Sequence, residues 1–177
     1  YKNINKSYVV RKIEKRLKRL QKQVSRKYEQ NKKGKEYVKT KNIIKLEKQI
    51  QQVHRRLANI RNNYLHQTTT NIVKTKPYRV VIEDLAVSDM MKNKHLSDAI
   101  RKQGFSEFRR QLEYKCNFRG IKFVVADRFY PSSKSCSQCG KIKKDLKLKD
   151  RVYKCSCGLN IDRDLNASIN LSKYKSA

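Results

Sequence analysis

Four cysteines in two close pairs are the residues of this 177-residue chain whose spacing points most directly to chemistry. Cys136 and Cys139 form a C-x2-C pair, and after fifteen intervening residues Cys155 and Cys157 form a C-x-C pair. Two thiolate pairs on short turns can complete a tetrahedral shell that suits Zn²⁺ better than Mg²⁺ or Ca²⁺. Disulfides or unconnected buried cysteines are the alternatives, and the usual second pair is one residue longer. The spacing predicts a zinc ribbon over residues 131–158.

Three carboxylates are the second set of candidate ligands. Asp162 and Asp164 stand at the start of a predicted C-terminal helix in residues 159–177, where acidic side chains also serve as caps. Glu83 ends a predicted strand over Tyr78–Ile82 and either caps the next turn or is a site residue on a rigid element. Both interpretations stay open for each carboxylate when it is considered alone.

Predicted strands and helices must bring these groups together. A buried strand at 78–82 is followed by a loop at 87–94, helices at 95–104 and 105–118, and a second buried strand at 121–126. Cys116 continues an apolar stripe of the second helix, so we expect it in the core and not at a metal. This order predicts an α/β core in residues 77–130 and 159–177, with helices inserted before it and a zinc ribbon inserted within it.

Residues 1–76 carry two apolar stripes at helical spacing, separated by a break at Asn31–Gly34. The first stripe runs from Ile13 to Tyr28 and the second from Leu46 to Tyr64, each in steps of three and four. Two such stripes joined by a glycine-containing turn predict an antiparallel helical hairpin. The other faces of both helices are rich in lysine and arginine.

Charge indicates the kind of partner. The chain has 45 Lys and Arg against 15 Asp and Glu, a formal net charge of +30. A polyanion relieves such self-repulsion, which favours nucleic acid first and an anionic membrane surface second. No apolar run is long enough to span a bilayer, so we expect a cytoplasmic, nucleoid-associated protein. The basic residues in and beside the ribbon that we expect to contact nucleic acid are Lys141, Lys143, Lys144, Lys147, Lys149, Arg151 and Arg163.

Several motifs, taken in order, carry a family resemblance. They are VIEDL at 81–85, MMKN at 90–93, YPSSKSCSQCG at 130–140, YKCSCG at 153–158 and DRDLNAS at 162–168. In this order they resemble the C-terminal half of the TnpB/OrfB-type proteins, transposon-associated proteins known as transposases and similar to compact type V CRISPR effectors. The resemblance covers nearly the whole chain, and the composite motif is specific.

The resemblance implies an RNA-guided DNA endonuclease with a RuvC-like, RNase H-fold core, of which this chain holds part. Its partners would be guide RNA and DNA, with structural Zn²⁺ on the four cysteines and catalytic Mg²⁺ on Glu83 and Asp164. Asp162 would be a neighbour and possible further ligand. The first catalytic Asp of the family has no counterpart and is expected before Tyr1, so we expect weak or no cleavage by this chain alone. A nuclease-dead nucleic-acid-binding protein is the alternative.

Overall fold

The structure, a computed structural model, describes residues 3–147 and 149–175 and mixes helices with short sheets. A 3₁₀ turn (Ile4–Lys6) precedes α1 (Tyr8–Gln30), β1 (Lys32–Lys33), β2 (Glu36–Tyr37), α2 (Lys41–Lys74), β3 (Arg79–Glu83), α3 (Val87–Lys92), α4 (Ser97–Gln103), α5 (Phe105–Phe118), β4 (Lys122–Ala126), β5 (Val152–Lys154), β6 (Asn160–Asp162) and α6 (Arg163–Lys173). The mixed α/β class is confirmed. No helix in the described part of the chain has the length and apolar character needed to cross a membrane.

The chain divides into two compact units. The first contains the described residues up to 68 together with 98–104. Its α1 and α2 run antiparallel. Tyr28 at the end of α1 donates to Glu47 early in α2 (2.7 Å), and Arg61 further along α2 donates to Glu14 in the first half of α1 (2.9 Å). Their facing stripes bury a core at Val10, Ile13, Leu20, Val53 and Leu57. The predicted helical hairpin therefore forms, and the predicted break is the turn between β1 and β2.

The second unit contains residues 69–97 and the described residues from 105 onward. Strands β3 and β4 pair in parallel, from Arg79 opposite Lys122 to Glu83 opposite Ala126. Helix α5 packs on them through a core that includes Val73, Leu112, Cys116 and Ile121. The expectation that Cys116 is a core residue is confirmed, since its side chain is fully buried.

Three local predictions in this unit were wrong. The expected loop at 87–94 contains helix α3, in which Asp89 in the first turn and Lys92 in the last complement the helix dipole and pair at 2.8 Å. The first strand begins at Arg79 and excludes Tyr78, which is 86% exposed. Strand β3 is also half-buried and not fully buried, because among the described strands it pairs with β4 alone.

Candidate functional site

The structure brings the four paired cysteines together. The sulfurs of Cys136 and Cys157 are 3.6 Å apart, as are those of Cys139 and Cys155. All four sulfurs lie within 4.8 Å of one another. A tetrahedron with Zn–S bonds of about 2.3 Å requires S–S separations of about 3.8 Å, so these thiols fit that shell closely. They could hold a metal ion such as zinc.

The first cysteine pair lies in a turn closed by backbone hydrogen bonds. The Cys136 N–H donates to the Lys141 carbonyl, and the Gly140 N–H donates to the Cys136 carbonyl, both at 2.9 Å. Gly140 has a φ of +75°, a conformation that a side chain would disfavour. Tyr153 is fully buried beneath this turn and donates its hydroxyl to the carbonyls of Lys134 (3.0 Å) and Lys141 (3.3 Å). Tyr153 therefore packs within the ribbon.

The second pair makes the same kind of turn with one residue fewer. The Cys155 N–H donates to the Leu159 carbonyl at 2.9 Å, and the Gly158 N–H donates back to the Cys155 carbonyl at 3.1 Å. The shorter C-x-C spacing is therefore matched by a tighter hydrogen-bonded ring, and the sulfurs still converge. Gly158 has a φ of +94°, so this turn also depends on glycine.

The four sulfurs perturb one another's ionisation. The backbone N–H of Cys157, together with the neighbouring thiols, lowers the pKa of Cys155 to about 6. The backbone N–H of Leu159 lowers the pKa of Cys157, but desolvation and the three neighbouring thiols outweigh it and raise that pKa to about 12. Each negative charge thus makes the next thiol harder to ionise. A divalent cation at the centre supplies the opposite charge that four thiolates need.

Two buried asparagines fasten the ribbon to α6. Asn166 donates to the Ser135 carbonyl (2.7 Å) and accepts from the Ser137 N–H (2.9 Å). Asn170 donates to the carbonyls of Ser132 and Ser135, both at 2.7 Å. Residues four apart share one face of a helix. The sequence analysis missed this pair. Asparagine is a poor helix former, so two asparagines four residues apart inside a predicted helix were the available signal.

Glu83 lies at the last position of β3, beside the start of the ribbon. Ser132 donates its hydroxyl to Glu83 Oε1 at 2.6 Å. At the other end of β3, the Arg79 guanidinium donates to the carbonyls of Tyr174 (2.9 Å) and Ser172 at the C-terminus of α6. Helix α6 therefore lies along β3, and Glu83 is linked to that helix through Ser132.

The two aspartates at the start of α6 have different roles in the fold. Asp162 caps the helix, accepting from the N–H groups of Asp164 (2.9 Å) and Leu165 (3.0 Å). The Asp164 side chain is 77% exposed, and its ion pair with Arg163 is long at 3.9 Å. The capping interpretation is confirmed for Asp162, whereas Asp164 keeps its carboxylate open to solvent. Within residues 3–147 and 149–175, the only group of three or more His, Cys, Asp and Glu ligand atoms close enough to share a metal is the cysteine cluster.

A further carboxylate, Asp84 next to Glu83 in the chain, was not singled out by the sequence and is paired with arginines. Asp84 contacts Arg128 at 2.7 Å and Arg109 at 3.0 Å. Hydrogen bonds from Arg128, and then from Arg109, hold the pKa of Asp84 below its usual value. Asp84 therefore joins β3, β4 and α5 and is not an open metal ligand.

The chain is similar to known proteins over the part that contains the cysteine cluster and most of α6. Residues 105–171 match the family described as Cas12f1-like, TNB domain. InsQ of Escherichia coli K12, named provisionally as an RNA-guided DNA endonuclease, is 34% identical over 176 residues, covering 90% of this chain and 41% of InsQ. TnpB-like protein L79 of Acanthamoeba polyphaga mimivirus is 30% identical over 148 residues, covering 80% of this chain and 28% of the relative. The chain is similar to TnpB-like proteins over most of its length. The expected resemblance is confirmed.

Other matches agree with this similarity. A Streptomyces pristinaespiralis protein with the same provisional endonuclease name is 41% identical over 130 residues, covering 73% of this chain and 32% of that protein. A chain in a cryo-EM structure of a Cas12f1–sgRNA–target DNA complex matches the fold with a TM-score of 0.59 and 23% identity, covering 75% of this chain and 39% of the other. The chain spans about a third of the length of the curated relatives it matches.

The basic residues predicted to contact nucleic acid lie in two settings in the chain. Lys144, Lys147, Lys149 and Arg151 are exposed. The other three have partners within the ribbon region: Lys141 donates to the Ser156 hydroxyl (3.2 Å), Lys143 to the Lys154 carbonyl (3.3 Å), and Arg163, mostly buried, to the Lys147 carbonyl (3.3 Å). Their contact with nucleic acid stays a prediction.

Proposed function

We propose that this TnpB-like chain is part of an RNA-guided DNA endonuclease that requires Mg²⁺ and acts on DNA in the cytoplasm. The names of the relatives support the nuclease class, and the fold neighbour comes from a complex with sgRNA and target DNA. The formal net charge of +30 suits two polyanionic partners. The core would be of the RuvC type, with Glu83 and Asp164 as its carboxylates.

The observation that carries this proposal is the alignment of α6 with β3. Arg79, the first residue of β3, binds the carbonyls of Ser172 and Tyr174 at the end of α6. Four strand steps from Arg79 to Glu83 cover about 13 Å. Nine helix steps from Lys173 back to Asp164 also cover about 13 Å. If strand and helix run side by side, Glu83 and Asp164 are level with each other, which supports a shared metal site.

In this proposal Glu83 and Asp164 bind the metal, and Ser132 and Asp162 position them. Bound Mg²⁺ would make a water nucleophilic and stabilise the leaving oxygen of the phosphodiester. Glu83 and Asp164 would supply hard oxygen ligands, which Mg²⁺ prefers. Ser132 orients the Glu83 carboxylate by its hydrogen bond, and Asp162 holds the start of α6 through its cap.

The ribbon would have a structural metal and a DNA-binding surface. Cys136, Cys139, Cys155 and Cys157 would hold Zn²⁺, which a four-sulfur tetrahedron favours. The exposed side chains of Lys144, Lys147, Lys149 and Arg151 would contact phosphates of the target DNA. Such contacts position DNA without reading its sequence, because phosphates are the same at every base.

Carboxamide substitutions in the full-length protein test the carboxylate site. Glu83→Gln and Asp164→Asn should each lower Mg²⁺-dependent cleavage by more than the roughly 10- to 100-fold that losing an outer hydrogen-bond partner costs. Ser132→Ala, which removes such a partner of Glu83, should fall within that range. Asp162→Asn is the matched control and should keep cleavage, since asparagine caps a helix as well as aspartate does. Cleavage retained by both Glu83→Gln and Asp164→Asn would refute the assignment.

A nuclease-dead nucleic-acid-binding protein is the second candidate. One observation favours it: in the described part of the chain, no group of three or more carboxylate or histidine ligand atoms lies close enough to share a metal ion. That function predicts guide RNA and DNA binding without strand cleavage at any Mg²⁺ concentration. Binding with no cleavage by the unmutated full-length protein would therefore favour it over the nuclease.

A further inference from the structure

The edge of the β3–β4 sheet opposite Glu83 has a basic cavity that neither the carboxylate site nor the ribbon uses. Its volume is about 620 Å³, and its walls are residues 76–78 before β3 and 119–122 before β4. Because the two strands are parallel, their starts share one edge and their ends, including Glu83, share the other. We define the strand-start patch as Lys76, Tyr78, Arg119 and Lys122 of this cavity together with Phe118, the last residue of α5, which directly precedes Arg119.

Two turns hold the walls of this patch in place. Before β3, Lys76 has a φ of +49° and its N–H donates to the Val73 carbonyl at 3.1 Å, directly ahead of Pro77. Before β4, the Ile121 N–H donates to the Cys116 carbonyl at 3.0 Å, and Gly120 takes a φ of +65°. Both Val73 and Cys116 are buried in the core, so the patch is built on a rigid base.

The patch exposes two aromatic rings. Tyr78 and Phe118 are each 86% exposed, although rings of this size usually bury much of their area. Phe118 makes a T-shaped contact with Tyr114, with ring centroids 6.4 Å apart. Exposed rings beside positive charge are the platforms on which unpaired bases stack, and such stacking accepts any base.

The three cations of the patch have no acidic partner among the described residues. Lys76, Arg119 and Lys122 are exposed and take part in none of the ion pairs found there. Arg109 and Arg110 on α5, by contrast, are paired with Asp84 and Glu107. The positive charge at the strand starts is therefore available to a polyanion.

We propose that the strand-start patch is a second nucleic-acid site, which takes an unpaired segment with a base on Tyr78 or Phe118 and phosphates on Lys76, Arg119 and Lys122. This proposal rests on the proposed function only in taking nucleic acid as the partner. The strand between Arg79 and Glu83 separates it from the carboxylates by about 13 Å. A segment bound here would be held away from the cutting site while another part of the nucleic acid enters that site.

Paired variants of the full-length protein separate stacking from simple exposure. Tyr78→Phe keeps the ring and should bind a fluorescent single-stranded oligonucleotide as the parent does. Tyr78→Leu keeps an apolar side chain without a ring and should bind about 5- to 150-fold more weakly, the range expected for one stacked base. Oligo(dT) and oligo(rU) of equal length are the probes, and the larger loss identifies which nucleic acid occupies the patch.

Charge variants test the phosphate contacts. The triple variant Lys76→Gln, Arg119→Gln, Lys122→Gln should lower the slope of log affinity against log salt by about 2, as expected for three contacts to a single strand. The matched Lys76→Arg, Arg119→Lys, Lys122→Arg variant should keep the parental slope. Circular dichroism and bound zinc should be unchanged in all variants, because the substituted side chains are exposed.

Binding alone decides this proposal, so a failure of the cleavage assay leaves it intact. Ser168→Ala, whose exposed hydroxyl bonds within α6, is the control and should leave oligonucleotide affinity at the parental value. A ring-dependent loss of affinity or a reduced salt slope, with either oligonucleotide, supports the patch. Parental affinity in Tyr78→Leu together with a parental slope in the triple Gln variant, for both oligonucleotides, overturns it.

Discussion

Replacing Asn170 with leucine is expected to loosen the ribbon from α6 without emptying the space between them. The Ser132 carbonyl loses its donor, and leaving one buried acceptor unsatisfied costs about 1–3 kcal/mol. The Ser135 carbonyl loses one of two donors but keeps Asn166, which costs about 0.5–1.5 kcal/mol. Together these losses destabilise the contact by about 1.5–4.5 kcal/mol.

Amide hydrogen exchange at Ser137 measures this effect locally. The Ser137 N–H donates to Asn166 on the same face of α6, so it exchanges when the ribbon leaves the helix. A loss of about 1.5–4.5 kcal/mol speeds exchange roughly 10- to 1,600-fold, at about 1.4 kcal/mol per factor of ten. A local probe is preferable to a single melting curve, because the chain has two units and need not unfold in one step.

Ser168→Ala is the matched control for Asn170→Leu. Its hydroxyl is exposed and bonds only to the Leu165 carbonyl of the same helix, so exchange at Ser137 should change by less than about threefold. Exchange in Asn170→Leu as slow as in Ser168→Ala would refute the reasoning. It would mean that the ribbon stays attached to α6 by other contacts.

Two further predictions concern the thiols and Asp84. Cys136→Ser should abolish retention of Zn²⁺ measured by atomic absorption, whereas Cys116→Ala, a core change costing about 1–3 kcal/mol, should retain it; equal zinc contents would contradict the cluster. Asp84 has a lowered folded pKa, so its carboxylate stabilises the fold above the unfolded value of about 3.9 and that stability is lost as the pH falls through the folded pKa. Acid-unfolding curves should therefore show a steeper loss below about pH 4 for the parent than for Asp84→Asn, and parallel curves would argue against the two arginine contacts.

Features that depend on neighbouring residues were predictable from the sequence. The helical hairpin followed from stripes of period three and four, and Cys116 was separable from the metal-binding cysteines because it continued an apolar stripe. The capping role of Asp162 was an open alternative that the structure confirmed. Helix α3 was missed because six residues are too few to show a helical period, and no side chain caps its start.

Contacts between distant segments were not predictable. Asn170 meets Ser132 across 38 positions, and Ser132 meets Glu83 across 49, and neither contact leaves a periodic signal in the sequence. Tyr78 was assigned to a buried strand because it adjoins β-branched residues, yet the register that pairs Arg79 with Lys122 leaves it outside the sheet.

The sequence by itself determined which chemistry is available: four thiols at metal-ligand spacing, three carboxylates at element ends, and a large excess of positive charge. These are local or compositional properties, so no fold is needed to identify them. Only the tertiary structure decided that the shortened C-x-C turn still converges on its partner, that Asp162 is a cap while Asp164 is open, and that three unpaired cations and two exposed rings share one sheet edge. Those outcomes depend on strand register and on how α6 packs against β3, which bring together residues far apart in the chain.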